Sequence, residues 1–402
     1  MKNKIHLILL FFCFTSWNMV SAEPGFFDNA FKNGNSQIHG FITQGYTYTT
    51  DNNFFGESSD NGSFEFTELG INISGRLSER VFGSAQVISR STGAFYDGKP
   101  DLDYAMLDFN AISEENWLGG IRIGRTKNPY GLYNDGRDAA VTRNGILLPQ
   151  SIYFDKVRNL VMHSDGLQLY ADISMENADL YAQSTYGYSE MGENVEYAYM
   201  GSNFPGDLEE RTPLSVTRFI YEYKGGLLRL GYTKAIGDME YEPGQLDPIN
   251  AGQIDFDLDL FSMEFNQEHW SLTAEYMQQD VDWQNLSVLH NDNDQVGDGY
   301  YVQFTLRPKD NAEFFIRYDV SHTDRDDPKG TQASQQGIPR PAFAQFAKDW
   351  TLGMRWDITE DFMLRAEYHN VEGTSWLSEQ ETPFPSMVKD WEMFNLLVSY
   401  HF

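Results

Sequence analysis

The sequence predicts an all-β protein: a transmembrane up-and-down antiparallel β-barrel of about sixteen strands, with long loops at one end and short turns at the other. Three observations lead there. Apolar and polar side chains alternate in segments of about ten residues along nearly the whole chain, and in a strand a period of two gives each face one residue type. The connections between segments alternate between long and short. No apolar run after residue 22 approaches the roughly 18–20 residues that a membrane helix needs, yet the chain carries 23 Tyr, 29 Phe and 8 Trp. Composition leaves a secreted sandwich or propeller open. Loop length decides, because a soluble sandwich has no reason to sort its connections, whereas a membrane barrel keeps turns short on one side and loops long on the other.

The elements follow in order. Lys2 and Lys4 precede the apolar run IHLILLFFCF, and Val20-Ser21-Ala22 closes it with small residues. This is the pattern of a secretory signal peptide over 1–22, cut after Ala22. The run is too short to span a bilayer as a helix, and the bulky Phe11 and Phe12 argue against a lipid-modified Cys13. Cleavage would remove the one cysteine, and with it any disulfide or thiol chemistry. Residues 23–35 read as a short polar, periplasmic lead-in. Residues 36–402 read as one barrel domain, undivided by any linker or shift in composition.

Sixteen alternating segments lie near 37–49, 63–75, 81–90, 102–112, 119–126, 166–175, 178–188, 214–223, 227–236, 253–265, 270–280, 299–307, 312–321, 349–358, 362–370 and 391–402. Long connections fall at 50–62, 91–101, 127–165, 189–213, 237–252, 281–298, 322–348 and 371–390. Tight turns include Leu77-Ser78-Glu79-Arg80, Lys224-Gly225-Gly226 and Thr359-Glu360-Asp361. An even count returns both ends of the chain to the turn side, and a ring this wide can enclose water. In 270–277, Trp270, Leu272, Ala274 and Tyr276 share a face opposite Ser271, Thr273 and Glu275. An Arg or Lys facing lipid near the midplane costs roughly 2–4 kcal/mol, so charged phases such as those of Arg317 and Arg365 point to a wet lumen. The phase slips in 63–75, which suggests a bulge or a wrong boundary. Arg218, Arg229 and Lys234 do not fit one phase in the eighth and ninth segments.

The chain ends on Phe394-x-Leu396-x-Val398-x-Tyr400-x-Phe402. With the signal peptide and the sixteen segments, this ending resembles the Gram-negative outer-membrane porin superfamily, in its sixteen-stranded general type. The resemblance spans essentially the whole chain after residue 22. It implies an outer-membrane barrel in contact with outer-membrane lipid, a homotrimer, passive diffusion of small hydrophilic permeants, and a terminal strand read through Tyr400 and Phe402 by the insertion machinery. It also implies that the longest connection, 127–165 after the fifth strand, folds inward as a constriction loop. Asp135, Arg137, Asp138, Arg143, Asp155, Lys156 and Arg158 would then face Arg90 and Arg122 on the wall. Opposed charges across such a gap select permeants by charge and size.

The run IDFDLDLF sets Ile254, Phe256, Leu258 and Leu260 against Asp255, Asp257 and Asp259. In a barrel it is expected as an acidic ladder on the lumen or its outer mouth. The formal charge of −30 agrees with a channel leaning toward cations and argues against nucleic acid as a partner. A substrate-specific channel is the main alternative, with Tyr104, Tyr170 and Phe315 as a possible aromatic slide for a sugar. A non-transporting adhesin or barrel hydrolase is the other. No catalytic set emerges: His39, His369 and His401 occupy polar phases, but no nucleophile with a base and an orienting partner can be read. The acidic runs from His290 and His322 lack the spacing of an EF-hand loop, so neither metal nor cofactor is expected.

Overall fold

A computed structural model describes residues 36–200, 204–286, 293–335 and 340–402. The predicted signal peptide, the lead-in and the start of the acidic run at His290 lie outside the described residues. Sixteen strands are present: β1 Ser36–Thr49, β2 Ser63–Arg76, β3 Val81–Thr92, β4 Asp97–Glu114, β5 Trp117–Lys127, β6 His163–Ser174, β7 Ala178–Tyr188 and β8 Asp207–Tyr223. The second half comprises β9 Leu228–Glu242, β10 Gly252–Asn266, β11 Trp270–Gln284, β12 Asn293–Lys309, β13 Ala312–His322, β14 Phe346–Asp357, β15 Phe362–Gly373 and β16 Asp390–His401. Each pairs with its neighbours in chain order, and β16 pairs back onto β1 to close the barrel.

Closure explains the ending of the chain. Phe41 to Thr49 run antiparallel to His401 to Met393. Beyond them Gly40 and Phe402 exchange both backbone hydrogen bonds, at 3.0 and 3.1 Å. Phe394, Leu396, Val398 and Tyr400 face outward, whereas Asn395, Leu397 and Ser399 are buried inside. Thr43 and Ser399 join their hydroxyls at 2.8 Å across the seam. A barrel has no free sheet edge, so every strand backbone group in the wall can be satisfied without water.

The turn at Lys224-Gly225-Gly226 takes positive φ at all three residues (47°, 62° and 93°). Glycine adopts this region without steric cost. The connection expected at 91–101 shrinks to 93–96 because β3 and β4 both run on. In β2 the pairing passes from Gly45↔Phe66 to Thr47↔Ser63. Phe64 and Glu65 therefore sit together opposite Tyr46 as a bulge, and this is the source of the slipped phase.

The outward face carries apolar side chains on every strand, among them Ile42, Ile71, Val87, Leu107, Ile121, Leu169, Phe219, Phe261, Val302, Leu352 and Phe362. Strands β8, β10 and β11 change at their loop ends. On β10, Phe261 and Met263 are exposed on the outer face, but Ile254, Phe256, Leu258 and Leu260 are buried inside. The apolar series thus changes parity between Leu260 and Phe261 although the pairing of β10 with both neighbours is continuous. The same inversion separates Phe219 from Val216 and Leu214 on β8, and Tyr276 from Val281 and Trp283 on β11. Below the inversion the apolar face is turned outward. Above it, the apolar face is turned to a core inside the barrel.

Two inner cores fill the loop end. One packs Tyr130, Ile152, Tyr153 and Leu160 of the β5–β6 connection, and Tyr199 and Met200 of the short helix Glu193–Met200, against β8–β12. The other joins Phe54, Phe55, Phe95, Trp376 and Leu377 of the remaining loops to Ile146, Leu147, Phe66 and Trp391. Fully burying each such side chain is worth about 1.5–3 kcal/mol. This cohesion holds the loops within the wall.

Candidate pore constriction

The connection between β5 and β6, residues 128–162, crosses the lumen and is held at both sides. On β11, the Glu275 carboxylate accepts hydrogen bonds from the hydroxyls of Tyr153 (2.7 Å), Tyr301 (2.8 Å) and Ser262 (2.6 Å) and from the Leu132 amide (3.1 Å). On β13, Asp319 accepts from the Gln150 amide at 2.8 Å. On β15, Glu367 accepts from the amides of Ile146 and Leu147. Arginines grip loop carbonyls in the same way: Arg365 donates to Arg143 O (2.6 Å), Arg355 to Val141 O (3.0 Å) and Arg218 to Gly131 O (2.8 Å). Gly131 takes φ +55°, and a Cβ there would fall 2.4 Å from the Tyr153 hydroxyl, so the loop needs glycine where it turns past that tyrosine.

Across from β11–β15 the loop meets β2 and β3 through ion pairs. Arg90 Nε donates to Glu68 at 3.1 Å, and its Nη2 to Asp155 at 3.3 Å. Arg137 Nη2 reaches Asp155 at 3.4 Å and the Tyr153 carbonyl at 3.0 Å. Arg143 pairs with Glu68, Arg158 with Asp138, and Lys127 with both Asp138 and Asp103. The wall and loop charges therefore sit within one network, with each arginine side chain at most 8% exposed. Breaking such a pair leaves an uncompensated buried charge, which costs more than the pair itself contributes.

The loop charges respond to this setting. Burial raises the Asp155 carboxyl, but Arg90 and Arg137 outweigh it and hold it below the usual carboxylate range. Asp138 is likewise penalised by burial, and Lys127 and Arg158 keep it ionised. Burial and the nearby Arg158 bring Arg137 down to about 10. Lys156, whose ammonium lies 5.5 Å from the Phe154 ring, is pushed down to about 7 by burial and by Arg340, against the pull of Glu379 and Glu381.

The structure thus brings together Arg90, Arg137, Asp138, Arg143, Asp155 and Arg158, and places Arg365 beneath the loop. Asp135 is half exposed and pairs with Arg218 at 2.6 Å. Arg317 is buried in the inner wall, bonded to Gln303 and Thr351 at 3.4 Å. Two expectations are corrected. Arg122 does not face the loop: it pairs with Asp108 at 3.0 Å and Gln168 at 2.7 Å, lying over the Tyr170 ring. Asp255, Asp257 and Asp259 do not line the lumen. They share the outer face of β10 with Phe261, and Lys234 bonds Asp257 and, at 2.9 Å, Asp259. Their apolar partners are drawn inward by the loop core, which turns the acids out.

Tyr104, Tyr170 and Phe315 stand on β4, β6 and β13 and make no ring contact with one another, so they do not form a slide. His369 is buried with Nδ1 2.7 Å from Asp349 and Nε2 3.2 Å from Glu367. Its Nδ1 also lies 3.2 Å from the Thr351 hydroxyl, which in turn reaches Asp349 at 3.0 Å. Among the described residues no cluster of His, Cys, Asp and Glu is placed to hold a metal. Sequence reasoning missed Glu68, Glu275, Asp319 and Glu367, the carboxylates that receive the loop. Each lies on a polar strand phase, so the phase itself was the available signal.

No family model matches the chain, and no curated protein matches it in sequence. Solved structures with the same fold are numerous. The outer membrane channel DcaP of Acinetobacter baumannii superposes with a TM-score of 0.57 at 13% identity, covering 91% of this chain and 97% of its own. An anion-selective porin from Comamonas acidovorans gives 0.57 at 10% identity, over 91% and 99% of the two chains. OmpT, an outer membrane protein of Vibrio cholerae described in trimer form, gives 0.55 at 10% identity, over 91% and 99%. The shared feature is a closed sixteen-strand barrel, the fold of the outer-membrane porins.

Proposed function

We propose that this porin-fold chain is a channel in the outer membrane of a Gram-negative bacterium, passing small hydrophilic solutes and ions by diffusion through a lumen narrowed by the loop 128–162. One observation carries the reading: an apolar outer face on all sixteen strands encloses an inner wall of charged and hydrogen-bonding groups, against which that loop is fastened. A protein that only needed a plug could fill its lumen with apolar side chains. Here an ion-paired network of Arg90, Arg137, Arg143 and Arg158 with Glu68, Asp138 and Asp155 fastens the loop to the wall.

The network is nearly balanced in charge, so selectivity at the constriction is weak. A lean toward cations comes from the net charge of −30, acting through the field at the outer mouth. We further propose a homotrimer, as in the trimer form of Vibrio cholerae OmpT, with the terminal strand through Tyr400 and Phe402 read during insertion.

The test is current across a planar bilayer under a KCl gradient. Stepwise conductance, in groups of three, with a reversal potential of cation sign supports the proposal. A folded barrel that passes no current overturns it.

A further inference from the structure

Five connections of the loop end meet at one group of charges. In the β15–β16 connection, the Glu381 carboxylate accepts the amides of Phe55 (3.1 Å) and Gly56 (2.8 Å) from the β1–β2 connection, and of Ala94 (3.0 Å) from the β3–β4 turn. The backbone is shaped to receive it. Phe55, Gly56 and Gly93 take positive φ (57°, 92° and 55°), and a Cβ at Gly93 would collide with the carboxylate. Two residues earlier, Glu379 pairs at 3.4 Å with Arg340 of the β13–β14 connection, whose guanidinium lies 5.2 Å from the Phe384 ring. Lys156 of the inward loop completes the group, and Arg340, Glu379 and Glu381 are the charges that act on it.

Counting acceptors shows where the group is weak. Two cations face two carboxylates, but both carboxylates are already engaged: Glu379 by Arg340, and Glu381 by three amides. Among the described residues Lys156 is in no ion pair, and its ammonium lies 5.5 Å from the Phe154 ring. A partly buried ammonium without an acceptor, beside a guanidinium, favours its neutral form. We infer that this junction is an acid-sensitive clasp: with Lys156 neutral it ties the outer loops together over the constriction, and a proton on Lys156 loosens it. The charged amine competes for Glu381, and the amides of Phe55, Gly56 and Ala94 then lose that acceptor. What they hold in place is the second inner core, where Phe54 packs on Trp376 and Phe55 on Phe95.

The value of about 7 for Lys156, against an ordinary 10.5, gives the direction. The closed clasp holds fewer protons than the open one, so opening grows as pH falls toward 7. Burial raises Glu379 and Glu381, with Glu65 adding to the rise of Glu381; these two act in the opposite sense, favouring the closed clasp at more acid pH. Hydrogen-exchange mass spectrometry of the full chain folded in detergent micelles tests the clasp, read as protection of peptides covering 54–56 and 93–95 relative to the intrinsic rate at each pH. Between pH 8.5 and 6.0 the two values for Lys156 allow up to about 30-fold more opening, so protection should fall at least about 3-fold and at most about 30-fold. Lys156→Met should hold it constant, and Arg340→Gln, which frees Glu379 for the charged lysine, should shrink the fall. A wild-type fall below about 3-fold overturns the inference. So does a fall that Lys156→Met leaves intact, and Arg340→Gln carries the same test if Lys156→Met fails to fold. Because exchange rather than current is read, loss of the clasp and failure of the channel reading are separate results.

Discussion

Glu68 shows how much rests on single carboxylates in the inner wall. It is fully buried on β2 and pairs with Arg90 of the wall and Arg143 of the loop. Glu68→Gln keeps the shape but strands two guanidinium groups, so a loss of about 3–5 kcal/mol is expected, as for other broken buried pairs. The urea midpoint of the barrel folded in micelles would measure it. Lys156 makes a pH-dependent prediction. Its folded value of about 7 lies below the ordinary 10.5, so between these limits the unfolded chain holds more protons and stability rises with pH. Lowering pH from 8.5 to 5.5 charges Lys156 and should move the reversal potential toward anions. Lys156→Met should remove that component of the shift. Periodicity offered little for either residue beyond the polar phase of Glu68. Glu68 sat in the segment whose phase slipped, and the surroundings of Lys156 come from loops distant in sequence.

At the scale of the strand, legibility depended on what covers each face. β13 keeps Phe314 and Ile316, and β16 keeps Phe394, Leu396, Val398 and Tyr400, on the outward phase, and that alternation located them closely. On β8, β10 and β11, two apolar environments lie on opposite sides of the same strand at different heights. A reading that assigns one phase per strand must place one of them wrongly. For β10 it chose the upper half, and so set Asp255, Asp257 and Asp259 in the lumen. A bulge was the available explanation for a phase change, and it is correct for β2 but absent from β10. The placement can be tested directly. Asp255→Asn, Asp257→Asn and Asp259→Asn together should leave reversal potential nearly unchanged, because these side chains stand outside the wall, in contact with Lys234. A large shift would return them to the permeation path.

For the whole molecule, the barrel follows from local alternation and loop length, which are properties of neighbouring residues, whereas the inward course of the longest connection was implied by the resemblance to porins. The ion-pair network and the loop anchors follow from neither, because they join residues such as Leu132 and Glu275 or Arg143 and Glu68 that no sequence spacing relates. The inversion of apolar phase has a further consequence. A strand of β8–β11 is bathed by two solvents in turn: hydrocarbon up to the level of Phe261, and water above it, where the wall is built like a soluble sheet with its core behind it. A thicker bilayer would press hydrocarbon against Asp259 and Lys234. Folded yield in lipids of increasing chain length should therefore fall sharply, and replacing both residues with leucine should move that limit to longer chains. The barrel thus sets its own ceiling on membrane thickness.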